Sequence, residues 1–145
     1  MTTLMLKIAV FCSLSLVVFG LGINCRGSSG CSGEPTLEQL NAEVQKLDDT
    51  RVYRSGEHIV CLPRGRGIIS LANWRDGLCI FLQFAPDGTT INGSRVKQLI
   101  PQLMAHGCKG CGSIPINFPA SNDPGPGILT TNYVSDTDNP CIGVC

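Results

Sequence analysis

Eight cysteines fall between positions 25 and 145, at 25, 31, 61, 79, 108, 111, 141 and 145, with a ninth at Cys12. A set this dense organises a small chain either around metal or around disulfide bridges, and the compartment decides which. The compartment is written at the N-terminus. Residues 1–20 carry one charge, Lys7, ahead of an apolar run over 8–19. Val18 and Gly20 put small residues at the third and first places before a cleavage point. This is the layout of a secretory signal peptide, too short to span a bilayer comfortably. A membrane anchor is the competing reading, but no charged stop-transfer cluster follows before Asn24. Residues 1–20 are therefore read as a leader and 21–145 as one exported, extracellular domain. Cys12 leaves with the leader. The eight cysteines that remain point to four disulfides, for which composition alone permits about a hundred pairings.

Charge narrows the function. Eleven basic residues balance eleven acidic ones, and loss of Lys7 leaves ten against eleven. A nucleic-acid binder would show a basic face and a high pI, so nucleic acid is not an expected partner.

Along the domain, residues 21–33 are rich in glycine and serine and read as irregular or as a short edge strand. Thr36 and Gln39 fit a capping box, and Leu37, Leu40, Val44 and Leu47 recur on one stripe, which predicts a helix over 36–48. Residues 58–62 and 68–71 read as strands around a turn at 63–67, and 79–84 (CIFLQF) is the strongest strand in the chain. A bridge between Cys61 and Cys79 would tie those neighbours. Residues 86–88 make another turn. Val96, Leu99, Ile100, Leu103 and Met104 predict a second helix over 92–106, interrupted by Pro101 and stopped by Gly107. The last third is loop-rich with one good strand at 127–134. Two helices among about five strands, without β-α-β periodicity, predict an α+β fold: a small disulfide-stapled α/β sandwich with a mostly antiparallel sheet.

Few residues suggest chemistry. Cys108 and Cys111 form a CxxC pair, but it follows a helix and so gains no helix N-terminus to stabilise a thiolate, and no second pair has zinc spacing. His58 and Glu57 are strand neighbours expected on opposite faces, and His106 stands where an imidazole favours a helix C-terminus. No hydrolase, metalloprotease or phosphate-loop motif occurs. The expectation is a non-enzyme without cofactor, metal or catalytic residue. A small secreted hydrolase or nuclease using Glu57, His58 and Arg64 is the rival that this disfavours. Arg64 and Arg66 sit on a tight turn beside Cys61 and would project into solvent as contact residues, against the plain reading of a solvated hairpin tip. Trp74 and Arg75 form the second candidate contact, unless Trp74 fills the core. Asn92-Gly93-Ser94 matches the N-glycosylation acceptor pattern.

Several stretches together carry a resemblance. LGINCRGSSGC at 21–31, INGSRVKQLIPQLMAHGCKGC at 91–111, CGSIP at 111–115 and GILTTNYV at 127–134 resemble, in the same order, the virus-encoded killer toxins of smut fungi that block calcium uptake, and their fungal chromosomal homologues. The match is weakest across 36–73. The resemblance implies an α/β sandwich, secretion, no enzymatic activity, and growth inhibition of fungal or host plant cells through a calcium channel, a membrane-protein target. It implies the pairs Cys25–Cys108, Cys31–Cys111 and Cys61–Cys79, with Cys141 and Cys145 left to a local ring or to an intermolecular bond. The expected state is a monomer. Two departures stand out. The family's toxin is basic, and a lysine important for its activity lies where this chain has Ile59, so Arg64 or Arg66 would have to supply a cation. A non-toxic secreted effector or binding protein on the same fold is the alternative.

Overall fold

The computed structural model describes residues 22–64, 76–137 and 141–145. Its main body is a five-stranded sheet in the order β5-β6-β3-β2-β7, every pair antiparallel. The strands are β2 (His58–Pro63), β3 (Gly77–Gln83), β5 (Gly112–Pro115), β6 (Ile128–Val134) and β7 (Gly143–Val144). A separate two-stranded sheet joins β1 (Val52–Arg54) to β4 (Thr90–Asn92). Helices α1 (Leu37–Val44) and α2 (Gly93–Ala105) pack on each other; α1 also meets β2, β3 and β7, and α2 meets β4 and β5. The molecule is thus α+β, a helical layer on an antiparallel sheet.

The reasons are mostly local. Thr36 caps α1 reciprocally: its hydroxyl accepts the Gln39 N–H at 3.3 Å, and the Gln39 side chain accepts the Thr36 N–H at 2.8 Å. Each bond satisfies a helix-end donor that would otherwise lack a partner. The helix ends at Val44, four residues earlier than 48, yet Leu47 stays buried with Leu37, Leu40 and Val44 because a turn carries it back to the core. Asn92 caps α2 through the Arg95 N–H at 2.9 Å. Val96, Leu99, Ile100 and Leu103 are wholly buried, and Pro101 lies on the exposed side, where the helix runs through it. His106 is the C-cap through its backbone N–H, and Gly107 follows at φ 105°, the left-handed stop that glycine adopts freely.

Alternation along β3 sends Leu78, Ile80 and Leu82 to the helices, where they join Val60, Ile114 and Leu129 in one core. Cys61 and Cys79 are directly opposed in the β2–β3 register and bridged. Several expectations shift. The strand begun at Cys79 ends at Gln83, because Phe84 has a left-handed backbone, φ 53°. The CGSIP stretch, read as loop, contains edge strand β5, and residues 22–33 contribute a single bridge, Asn24 to Ser113, and a short 3-10 turn (Ser29–Cys31). The strand expected at 68–71 lies outside the described residues.

Candidate functional site

Two bridges staple the N-terminal segment to the far end of α2: Cys25 to Cys108 and Cys31 to Cys111. The fourth, Cys141 to Cys145, closes a small ring at the edge of the sheet, where the Cys145 N–H reaches the Ile59 carbonyl at 3.0 Å. With every described cysteine bridged, none is a thiolate. His58, Cys61 and Cys79 bring their donor atoms within 4.8 Å of one another, but two of the three sulfur and nitrogen donors are the bonded sulfurs of one bridge. Such a trio offers one imidazole and does not fit a metal.

Arg64, expected to project into solvent, turns inward. Its backbone N–H donates to the Asp76 carbonyl at 2.9 Å, closing the base of the β2–β3 hairpin. Its guanidinium donates to the Gly30 carbonyl, stands 5.3 Å from the Tyr133 ring centre and 3.6 Å from the Asp76 carboxylate. An acceptor, an aromatic face and an opposite charge together replace the water that a hairpin tip would offer. Arg64 therefore joins the hairpin, the 3-10 turn and β6. Arg66, Trp74 and Arg75 lie outside the described residues.

Glu57 and His58, expected apart, line one open cleft of about 360 Å³ with Arg51, Tyr53, Cys141 and Cys145. Strict alternation fails because Glu57 belongs to the turn before β2. The Glu57 carboxylate accepts the Arg54 N–H at 2.6 Å, while His58 Nδ1 lies 3.8 Å from Cys79 Sγ and its ring packs on Phe81. Each side chain is held by a structural neighbour, and no acid–base pair between them is formed. Asn92 is exposed, and its side-chain amide oxygen accepts the Arg95 N–H that caps α2.

Two residues were missed by pattern reading. Phe84 is 78% exposed on a left-handed backbone, and the Arg26 guanidinium, beside the Cys25 bridge, has no partner among the described residues. Sequence offered no periodicity signal for either, since an isolated Phe at a strand end reads as core. Among the described residues no helix is long and apolar enough to cross a membrane.

A family model described as Kp4 matches residues 8–135. The match holds the first six domain cysteines and ends before the Cys141–Cys145 ring. Among curated proteins, the KP4 killer toxin of Ustilago maydis P4 virus is 33% identical over 119 residues, which is 82% of this chain and 84% of that protein.

Proposed function

The chain belongs to the Kp4 killer-toxin family, and we propose that it is a secreted, non-enzymatic protein that inhibits the growth of competing fungal or host plant cells by blocking calcium uptake. The observation that carries the reading is the 33% identity to a killer toxin across more than four fifths of both chains. The scaffold is consistent with it: four bridges in one small domain suit an extracellular life. The calcium-channel target and the leader come from the resemblance and from residues 1–20. In this reading Arg64 is a positioning residue, and Arg66, the next arginine along the chain, is the cation that meets the target.

The test is growth inhibition by the oxidised 21–145 protein on fungi and plant roots, with and without added calcium. Inhibition relieved by calcium is expected. Arg66→Ala should lower potency about tenfold with an unchanged melting temperature, the cost of one interfacial cation, whereas Arg64→Ala should lower the melting temperature as well. Inhibition that calcium leaves untouched would remove the channel from the proposal and keep the toxin.

One observation favours a second reading. Ile59, at the place the family's active lysine occupies, is 0% exposed, so no cation can reach a partner from there. A secreted binding effector on the toxin fold, without channel activity, predicts no growth inhibition by a correctly bridged protein.

A further inference from the structure

Phe84 ends β3 at φ 53°, a region that disfavours any residue with a Cβ and a bulky aromatic most of all. The fold gains little in return, because the ring is 78% exposed. Asparagine or glycine would meet the same turn without strain. A strained, exposed aromatic points to use outside the fold.

The ring borders an open groove of about 510 Å³ whose walls include Arg26, Asn24, Ser113, Pro124 and Ile128. The polar walls are already committed. Asn24 donates to the Gly22 carbonyl and accepts the Arg26 N–H, and the Ser113 hydroxyl pairs with that of Thr130. Among the described residues the Arg26 guanidinium has no partner, and it is the single charge in the groove's lining. The groove thus offers an apolar wall, one outward aromatic knob and one unpaired cation.

That chemistry chooses among occupants. A sugar needs several free side-chain donors and acceptors, and among the described lining side chains Asn24 and Ser113 are already hydrogen-bonded. A bilayer needs more than one phenyl ring and one cation, since even a whole acyl chain anchors only marginally. A small amphiphile needs enclosure, and this groove is open with its aromatic 78% exposed. A polypeptide surface can bury the knob in a pocket of its own and set a carboxylate against the guanidinium, the pairing on which interfacial hot spots are built. We infer that Phe84 and Arg26 form a docking surface for an acidic, apolar segment of a protein exposed on the target cell. The inference rests on the reading that the protein acts on other cells, and it gives that action a second contact besides Arg66.

The test uses the oxidised 21–145 protein, fluorescently labelled, on intact fungal cells including Ustilago maydis, and the variants Phe84→Asn and Arg26→Glu. Both variants must show four bridges by mass and a wild-type circular dichroism spectrum; Phe84→Gly replaces Phe84→Asn if the latter misfolds. The expected result is at least tenfold weaker cell binding for each variant, loss of wild-type binding after the cells are treated with protease, and no binding to phosphatidylcholine–phosphatidylglycerol vesicles. Phe84→Asn should melt at the same or a higher temperature, which a merely structural phenylalanine does not predict. Unchanged binding by either variant overturns the inference, as does wild-type binding that survives protease or transfers to vesicles, or binding to no cell at all. Variant-sensitive binding without growth inhibition keeps the docking surface and removes the killer activity, so the two failures are distinguishable.

Discussion

Tyr53 is 2% exposed, with the Arg51 guanidinium 5.1 Å from its ring centre and its hydroxyl buried without a hydrogen-bond partner among the described residues. A buried hydroxyl without a partner costs more than a missing one, so Tyr53→Phe is expected to be about 1 kcal/mol more stable and to melt about 3 °C higher. Burial also pushes the Tyr53 phenol pKa up. A raised folded value means that the folded state holds the proton longer: the stability is present below the unfolded value and is lost as pH rises through the folded one. Wild type should therefore weaken in strong alkali more than Tyr53→Phe, by melting temperature against pH. Asp48 shifts the other way. The Thr50 backbone N–H and hydroxyl both donate to its carboxylate at 2.8 Å and hold its pKa below the ordinary carboxylate range. Its stabilisation is present above the unfolded value and is lost as pH falls through the folded one. Asp48→Asn should flatten the acid side of the same curve.

The elements differ in how much of them was local. Helix α1 was legible because Thr36, Gln39 and the leucine stripe lie within three turns of one another, and α2 for the same reason. Strands β3 and β6 were legible from length and β-branched or aromatic content, but β1, β4 and β7, of two or three residues each, are too short to show alternation. Their pairing is set by what surrounds them. Gly93, which opens α2, shows this best: a Cβ placed there would stand 2.0 Å from the Asp48 carbonyl oxygen, and its own N–H bonds the Arg51 carbonyl at 2.9 Å. The loop after α1 and the start of α2 touch backbone to backbone, which only glycine permits. Gly93→Ala is expected to cost more than about 2 kcal/mol, read as a fall in the urea midpoint, far beyond the usual effect of this change at an open helix start.

At the scale of the whole molecule, the paired staples dominate. Each of Cys25–Cys108 and Cys31–Cys111 spans 80 or more residues of chain. A lone bridge across such a loop is worth about 4.5 kcal/mol by chain entropy. With one in place, however, the other closes only the short circuit through residues 25–31 and 108–111, worth about 3 kcal/mol. Replacing either pair by alanine should then cost about 3 kcal/mol and both about 7, a non-additivity that a double-mutant cycle in urea measures directly. Simple addition would show instead that the two bridges hold independent regions. The Cys141–Cys145 ring, with a separation of 4, should contribute no more than about 2 kcal/mol on the same argument.

By itself the sequence determined the dense cysteine set, both helices with their caps, the two long strands and the family, because each of these depends on residues near one another in the chain or on ordered motifs. It did not determine the inward turn of Arg64, since Gly30, Asp76 and Tyr133 meet it from three separate segments. Nor did it place Glu57 and His58 in one cleft, or set Phe84 on a left-handed backbone in one groove with Arg26. Those arrangements come from contacts between residues tens of positions apart, which exist only once the sheet has closed and the staples have drawn the N-terminal segment against it.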